Sequence, residues 1–335
     1  MSVVIPVWNG ESRVAKAIDS ALGQRFDGSV EIVVVNDGST DGTSEVLRGY
    51  GDRISVIDEP NCGPARARNN GVANSHGGYV AFLDADDEWL PGKLARTVPI
   101  LEREADCVMV YCNAIKVDEQ GRDLGLYQPP AQRRAPTLDD MLSTRWSILP
   151  STALIRRSAI DAAGGFREEF ALAHPQWEDT YFMLMLRERG RFAYLDEPLI
   201  RYEAQATVAR HFERRRVRVS SARAAGSPPA RKYAVNCALM IRLVDEHFGP
   251  RGRIFRREIH KAGAGVLIGA GLTAMDEDAT AYARRCYLAA LRFDPANIKT
   301  WLRIGWTLIP RSIAAPLAGI LPGSIARAFM GPPQA

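Results

Sequence analysis

Four short runs rich in Val and Ile punctuate the first hundred residues: Val3–Val7, Val30–Asn36, Ile54–Asp58 and Tyr79–Leu83. Their length and continuous apolarity are those of strands covered on both faces. Between them lie segments that predict helices, Glu11–Leu22, Thr43–Arg48 and Pro64–Asn74. Strands alternating with helices imply right-handed crossovers and an α/β fold, a mostly parallel sheet with helices on both faces. Ligands bind such sheets beyond the carboxyl ends of the strands. The residues there are Trp8 and Asn9, Asp37 and Gly38, and Asp84 to Asp87. All three clusters are polar or aromatic, and the topology directs them to one crevice.

The pattern changes after residue 106. Cys107–Lys116, Arg122–Leu126 and Thr152–Arg156 read as strands, with Glu119, Gln120 and Gly121 as a turn. The stretch Tyr127–Pro136 holds three prolines and reads as a loop. A helix is predicted from about Glu178 to Arg189, followed by strands Phe192–Leu195 and Leu199–Tyr202. Beyond Gln205 the chain reads as helical, broken at Gly226-Ser227-Pro228-Pro229. Two domains are expected, a catalytic one over residues 1–225 and an all-helical extension over 226–335. In the extension, Tyr287, Ala290, Pro295 and Trp301 suggest one tetratricopeptide-like helix pair. A solenoid needs at least three such repeats, so a packing helix pair is the better reading.

Composition bounds the class. With 335 residues, 46% hydrophobic and 24% charged, the chain can bury a sizeable core and reads as soluble and globular. Its net charge of +4 is unevenly spread: residues 205–260 carry 13 Lys and Arg against 4 Asp and Glu. Such a patch is a solvated helical surface or meets anionic lipid headgroups or an anionic substrate. No helix-turn-helix, zinc-finger or RNP-like pattern accompanies it, so nucleic acid is not an expected partner. Five scattered cysteines without a Cys-x-x-Cys argue against a disulfide framework or zinc site and fit a reducing cytoplasm. No signal peptide is read at the start. The apolar stretch from Trp301 to Leu321 is broken by Arg303, Pro310, Arg311 and Pro316, so no membrane-spanning helix is expected.

The chemistry concentrates at the strand ends. Asp84-Ala85-Asp86-Asp87 follows an apolar run, and clustered like charges repel unless a cation joins them. An Asp-x-Asp pair suits a hard divalent ion that takes its remaining ligands from water and phosphate; a turn capping the helix after Pro91 is the bland reading. The turn after Asp37 explains Asp41 as a helix cap, but not Asp37, which stands where a carboxylate can accept from a base imide or ribose hydroxyl. Trp8, just past Pro6, offers a flat face on which a nucleobase stacks for about 1–3 kcal/mol. Arg66 or Arg68 can reach a base or a phosphate, and either can equally be a surface helix charge.

These blocks resemble the family 2 glycosyltransferases. The matching residues are Ser2 through Asn9, Val35 through Asp41, Gly63 through Asn69, Phe82 through Asp87, Gly164-Gly165-Phe166 and Trp177-Glu178-Asp179. The similarity covers roughly residues 1–205. It implies a GT-A fold, a Rossmann-like mixed sheet, and inverting transfer from a nucleotide-sugar donor, a UDP-sugar first among them, to a saccharide or lipid-linked acceptor. It implies a site in which Pro6, Trp8, Asn9, Asp37, Arg68, Asp84 and Asp86 bind the donor. Asp86 would hold Mn²⁺ or Mg²⁺, and Asp179 would be the base. Trp177, Glu178, His174 and Arg201 become candidates for acceptor or diphosphate contacts, with Arg210 and His211 as weaker ones.

Chemistry supports those roles independently. Expelling a nucleoside diphosphate builds charge on a phosphate oxygen, which a cation offsets, and an acceptor hydroxyl needs a carboxylate to take its proton. Asp179 opens a helix, whose dipole would lower its pKa. A sugar nucleotidyltransferase is disfavoured, because Asn9 to Arg13 has one glycine and no basic run for a triphosphate. A non-catalytic nucleotide-sugar binder is the other alternative. The expected setting is the cytoplasm or the inner membrane face, in cell-surface polysaccharide or glycolipid assembly. The helical tail would serve packing, a homodimer contact or peripheral membrane association.

Overall fold

Strand β1 (Ser2–Val7) pairs in parallel with β2 (Glu31–Asp37) on one side and β4 (Tyr79–Phe82) on the other, and β3 (Ser55–Glu59) adds to β2 in parallel. In this computed structural model residues 1–143, 146–170, 177–203, 229–276 and 280–308 are described. Pro6 is tolerated inside β1 for a geometric reason. Val4 accepts from Leu83, so alternate residues of β1 face β4, and Pro6 lies past the point where β4 stops pairing. Its missing N–H leaves no gap in the ladder.

Beyond β4 the order continues through β8 (Ala153–Arg156), β6 (Cys107–Val117), β9 (Arg191–Glu203) and β5 (Glu88–Trp89), with β7 (Asp123–Leu126) on β6. The β4–β8, β8–β6, β6–β7 and β5–β9 pairs are antiparallel, while β6–β9 is parallel. The nine-stranded sheet is therefore mixed, with β3, β2, β1 and β4 as a parallel block from the N-terminal part of the chain.

The period-2 alternation of strand residues decides which helix lies where. Val3, Ile5, Val7, Ile32 and Val34 share a core with Val14, Ala17, Ile18 and Ala21 of α1 (Val14–Leu22) and with Leu94, Val98 and Leu101 of α4 (Lys93–Arg103). Val33 and Val35 point to the opposite side and pack on Ala67 of α3 (Pro64–Ala73). Helices thus cover both faces. Gly71 lets α3 approach: a Cβ there would lie 2.3 Å from Val4 Cγ1. Among the described residues of this part, the further helices are α2 (Thr43–Arg48), α5 (Leu138–Leu142), α6 (Arg157–Ala163) and α7 (Glu178–Arg189).

Two expectations need correction. The third strand was expected to be buried on both faces, yet β3 is the sheet's edge and Val56 is 41% exposed. The two strands expected over Phe192–Tyr202 are one: Leu195 lies opposite Cys112 and Pro198 opposite Asn113, so Asp196 and Glu197 form a bulge that the ladder absorbs.

The chain falls into two units, Met1–Ser221 and Ala222–Ala335. In the second, α8 (Pro229–Phe248), α9 (Arg253–Asp276), α10 (Thr280–Leu291) and α11 (Ile298–Trp306) follow one another. Gly271 and Gly263 of α9 admit Tyr287 and Phe293, whose rings would sit 2.3 and 3.1 Å from an added Cβ. Tyr287 and Ala290 are buried, as a packing helix pair requires, while Trp301 is 54% exposed. Among the described residues no helix is long and apolar enough to cross a membrane.

Candidate active site

Because β2, β1 and β4 are parallel and adjacent, their carboxyl ends open on one edge of the sheet. The three expected clusters meet there. The loops after β1 and β2 are laced together: Asn9 N–H donates to Ser39 Oγ (3.0 Å), Thr40 N–H donates to Asn9 Oδ1 (2.8 Å), and Gly10 N–H donates to Thr43 Oγ1 (2.9 Å). These bonds hold Asn9 at φ +51°, a left-handed conformation that Asn tolerates better than most residues. Trp8, beside it, stays 48% exposed, presenting its indole to solvent. Asp37 is buried, and its two oxygens accept from the backbone N–H groups of Cys62 (2.7 Å) and Gly63 (2.9 Å). It thereby fixes the loop that starts α3, and each oxygen keeps one lone pair for another donor.

At the end of β4 the chain turns tightly, with Asp87 N–H donating to Asp84 O (3.0 Å). Ser151, in the short 3-10 turn that leads into β8, accepts from Asp84 N–H (3.0 Å) and donates to the Asp87 carboxylate. Asp87 also accepts from Glu203 N–H (3.3 Å). Burial, then repulsion from Asp86 and Asp84, pushes the Asp87 carboxyl well above the usual range. Asp87 is thus the structural acid of the run, whereas Asp84 and Asp86 remain half-buried at its open side.

Helix α7 brings the second acid group to the same place. Its first residues are Glu178 and Asp179. Burial, with help from Asp179, pushes Glu178 up to about 7 against the opposing pull of Arg68. Asp179 is also raised, by burial first, although it keeps partial solvent contact at the surface of a dense surround. The helix dipole expected to lower it is outweighed. Trp177 precedes the helix at φ +81°, a strained conformation for a bulky residue. Among the described residues, Asn9 and Trp177 are the non-glycine positions with positive φ, and both border this site.

Arg68 of α3 links the two acid groups. Its Nη2 donates to Asp84 Oδ1 (2.8 Å), and its Nη1 lies 3.6 Å from Glu178 Oε1. Arg66, the other candidate, is exposed and pairs loosely with Glu59 (3.8 Å). Arg201 lies in β9 opposite Glu88 of β5. His174, Arg210 and His211 lie outside the described residues. Two side chains unread in the sequence also line the acids. Tyr127 and Tyr202 meet edge to face at 5.5 Å, with Asp179 acting electrostatically on the first and Asp87, Asp86 and Asp84 on the second. Both are bridged only by tertiary structure, so nothing local in the sequence announces them.

The acids fit a divalent ion of the kind that takes few protein ligands. Among the described residues no set of three or more His, Cys, Asp or Glu is arranged as a cage. Mg²⁺ and Mn²⁺ sites built with substrate phosphates need only one or two carboxylates. Burial first, and then repulsion from Asp86 and Asp84, drives Asp87 toward its neutral form, and the crowding of the three carboxylates is the electrostatic pattern such an ion relieves.

Comparison with known proteins gives this geometry a family. The profile described as "Glycosyl transferase family 2" matches residues 2–163. An uncharacterized glycosyltransferase of Rickettsia typhi is 36% identical over 214 residues, covering 62% of this chain and 65% of that protein. Glycosyltransferase GlyA of Streptococcus pneumoniae is 40% identical over 111 residues, 32% of this chain and 16% of that one. The chain therefore spans less than two thirds of the length of these curated relatives. Among solved structures, residues 1–349 of TarS from S. aureus superpose with a TM-score of 0.53 at 19% identity, covering 90% of this chain and 89% of that one. The same TarS fragment is described in complex with UDP and with UDP-GlcNAc. Residues 2–163 thus match glycosyl transferase family 2, and the mixed sheet is that of the GT-A fold.

Proposed function

We propose that this protein transfers a sugar from a nucleotide-sugar donor, a UDP-sugar, to a hydroxyl of a saccharide or lipid-linked acceptor, with inversion at the anomeric carbon. The observation that carries the reading is the meeting of the strand-end acids with the Glu178–Asp179 pair across a single guanidinium. The UDP and UDP-GlcNAc complexes of TarS support the donor class. In this reading Trp8 stacks on the base beside Pro6 and Asn9, Asp37 uses its free lone pairs on the base or ribose, and Asp84 faces the ribose. Asp86 holds Mn²⁺ or Mg²⁺, which when bound offsets charge on the departing diphosphate.

Asp179 takes the proton of the acceptor hydroxyl as its oxygen bonds to the anomeric carbon and the bond to the diphosphate oxygen breaks. A raised proton affinity suits that role. Trp177 and Arg201 flank the acceptor and diphosphate sides. Incubating the full chain with labelled nucleotide sugars, with Mn²⁺ and with chelator, tests the proposal. Release or transfer of sugar from one donor only with metal is the expected result; inertness toward every donor with metal present would sink it.

The helical unit supports a second element of the reading, a peripheral contact with an anionic membrane face. Ile298, Trp301, Leu302 and Leu308 are 72%, 54%, 42% and 63% exposed, respectively. Their spacing places them on one side of α11 and its continuation, with Lys299 and Arg303 alongside. A membrane-held enzyme suits the assembly of surface polysaccharide or glycolipid.

A further inference from the structure

Arg68 is 6% exposed and faces three carboxylates: Asp84, which it hydrogen-bonds, Glu178 at 3.6 Å, and Asp179. Its guanidinium carbon lies 5.3 Å from the centre of the Phe166 ring. Phe166 in turn stacks on Phe182 of α7, with centroids 4.1 Å apart and planes 29° from parallel. The neighbouring Asn69 clamps Phe166 by its backbone, accepting from its N–H and donating to its carbonyl, both at 2.9 Å. Gly165 makes room for that clamp: at φ +68°, a Cβ there would sit 2.7 Å from Asn69 Oδ1. The Gly164-Gly165-Phe166 block therefore fixes the height of Arg68 between β4 and α7.

We propose that Arg68 is a positioning residue, the shared counter-ion that holds the Asp84 strand end and the Glu178–Asp179 helix start in one arrangement, in place of the direct nucleotide contact that the family resemblance implies. The inference rests on the glycosyl-transfer reading of the same site. Three acids, Glu178 buried and Asp84 and Asp179 partly so, converge on one buried cation, so turning Arg68 toward a ligand would leave them without their counter-charge, which costs more than an exposed pair gains. A planar fork can address two carboxylates at once; a lysine ammonium cannot do so with the same geometry.

The test compares Arg68→Met, Arg68→Lys and Phe166→Leu with wild type, all as the full chain. Three quantities are read: metal-free binding of UDP, kcat at saturating donor, and melting temperature without ligand between about pH 5 and pH 8. For Arg68→Met, UDP affinity is expected to stay within about threefold while kcat falls about a hundredfold or more, the signature of lost positioning rather than lost binding. The melting deficit should widen as pH rises, because Glu178 without Arg68 has its folded pKa raised further and loses stability on ionising. The other groups facing it are Asp179 on α7 and Asp84 after β4. Arg68→Lys should narrow the melting deficit and leave kcat low. Phe166→Leu keeps the guanidinium and removes its platform, so kcat falls about tenfold with UDP affinity unchanged; it serves where Arg68→Met fails to fold.

A tenfold or greater loss of UDP affinity with near-normal kcat overturns the assignment, as does a melting deficit that is equal at both ends of the pH range. If wild type itself neither binds UDP nor transfers sugar, the glycosyl-transfer reading fails, and the melting comparison still decides the place of Arg68.

Discussion

A carboxylate that must take a proton from a hydroxyl works best when its own proton affinity has been raised toward the working pH. Asp179 opens a helix, where aligned peptide dipoles would stabilise its charge by about 0.3–1 kcal/mol. Burial acts in the other direction and prevails. Its Oδ1 accepts from Thr180 N–H at 2.6 Å, a bond that an asparagine oxygen at the same position can keep. Asp179→Asn should therefore preserve the fold and donor affinity while lowering kcat by about 10²–10⁴-fold, the usual share of general-base catalysis. Steady-state transfer rates beside UDP-sugar binding isotherms check this; a variant that retains wild-type kcat removes Asp179 from the mechanism. The strand-end acids and Trp8 were legible because each follows an apolar strand, where a polar or aromatic residue has no packing reason to be. The partition of labour among Asp84, Asp86 and Asp87 was not. It depends on Ser151 and Glu203, which lie 67 and 116 residues away from the groups they bind.

At the scale of elements, α4 carries an anomaly inside the core. Lys93 is fully buried, its Nζ makes no hydrogen bond among the described residues, and it lies 4.0 Å from the centre of the Trp89 ring. The ring face offsets part of the cost, by about 2 kcal/mol for a desolvated cation. Burial still lowers the ammonium to about 8. A lysine depressed in the fold contributes stability above its unfolded pKa and loses it as pH falls through the folded value. Lys93→Met should accordingly stabilise the protein at pH 7 by roughly 1–2 kcal/mol, with the gain shrinking toward pH 10. Urea denaturation at the two pH values reads it, and an equal effect at both would rule out ionisation as the cause.

The Gly164–Gly165 turn gives a second element-scale prediction. Both residues have positive φ, but a Cβ meets open space at Gly164 and the Asn69 amide at Gly165. Gly165→Ala should cost about 1–3 kcal/mol, and Gly164→Ala only about 1 kcal/mol. Equal costs in denaturant titrations would mean the clamp on Asn69 is slack. The sequence reading placed α2 and α7 residue for residue, because their boundaries coincide with a Gly–Thr turn and with an acidic first turn after Trp177. It missed β5, since a two-residue strand carries no period, and it split β9, since Asp196-Glu197-Pro198 looks like a break when the partner strand β6 is not in view.

For the whole molecule, the question is where it works. The exposed side of α11 combines a tryptophan, three aliphatic residues and adjacent basic side chains. Apolar insertion and attraction to anionic lipid reinforce each other on such a face, and neither suffices alone for stable attachment. The full chain should therefore cosediment with vesicles containing phosphatidylserine and stay in the supernatant with vesicles of phosphatidylcholine alone. Raising salt should weaken the association, because the electrostatic share is screened over about 8–10 Å at physiological ionic strength. Ile298→Ser combined with Trp301→Ser should reduce partitioning about tenfold or more, since each buried apolar side chain contributes about 1.5–3 kcal/mol. Both side chains are mostly exposed, so melting temperature should barely move. A wild-type protein that ignores anionic vesicles but runs as a dimer, and becomes monomeric on the same double substitution, would transfer this face from the membrane to a second copy of the chain.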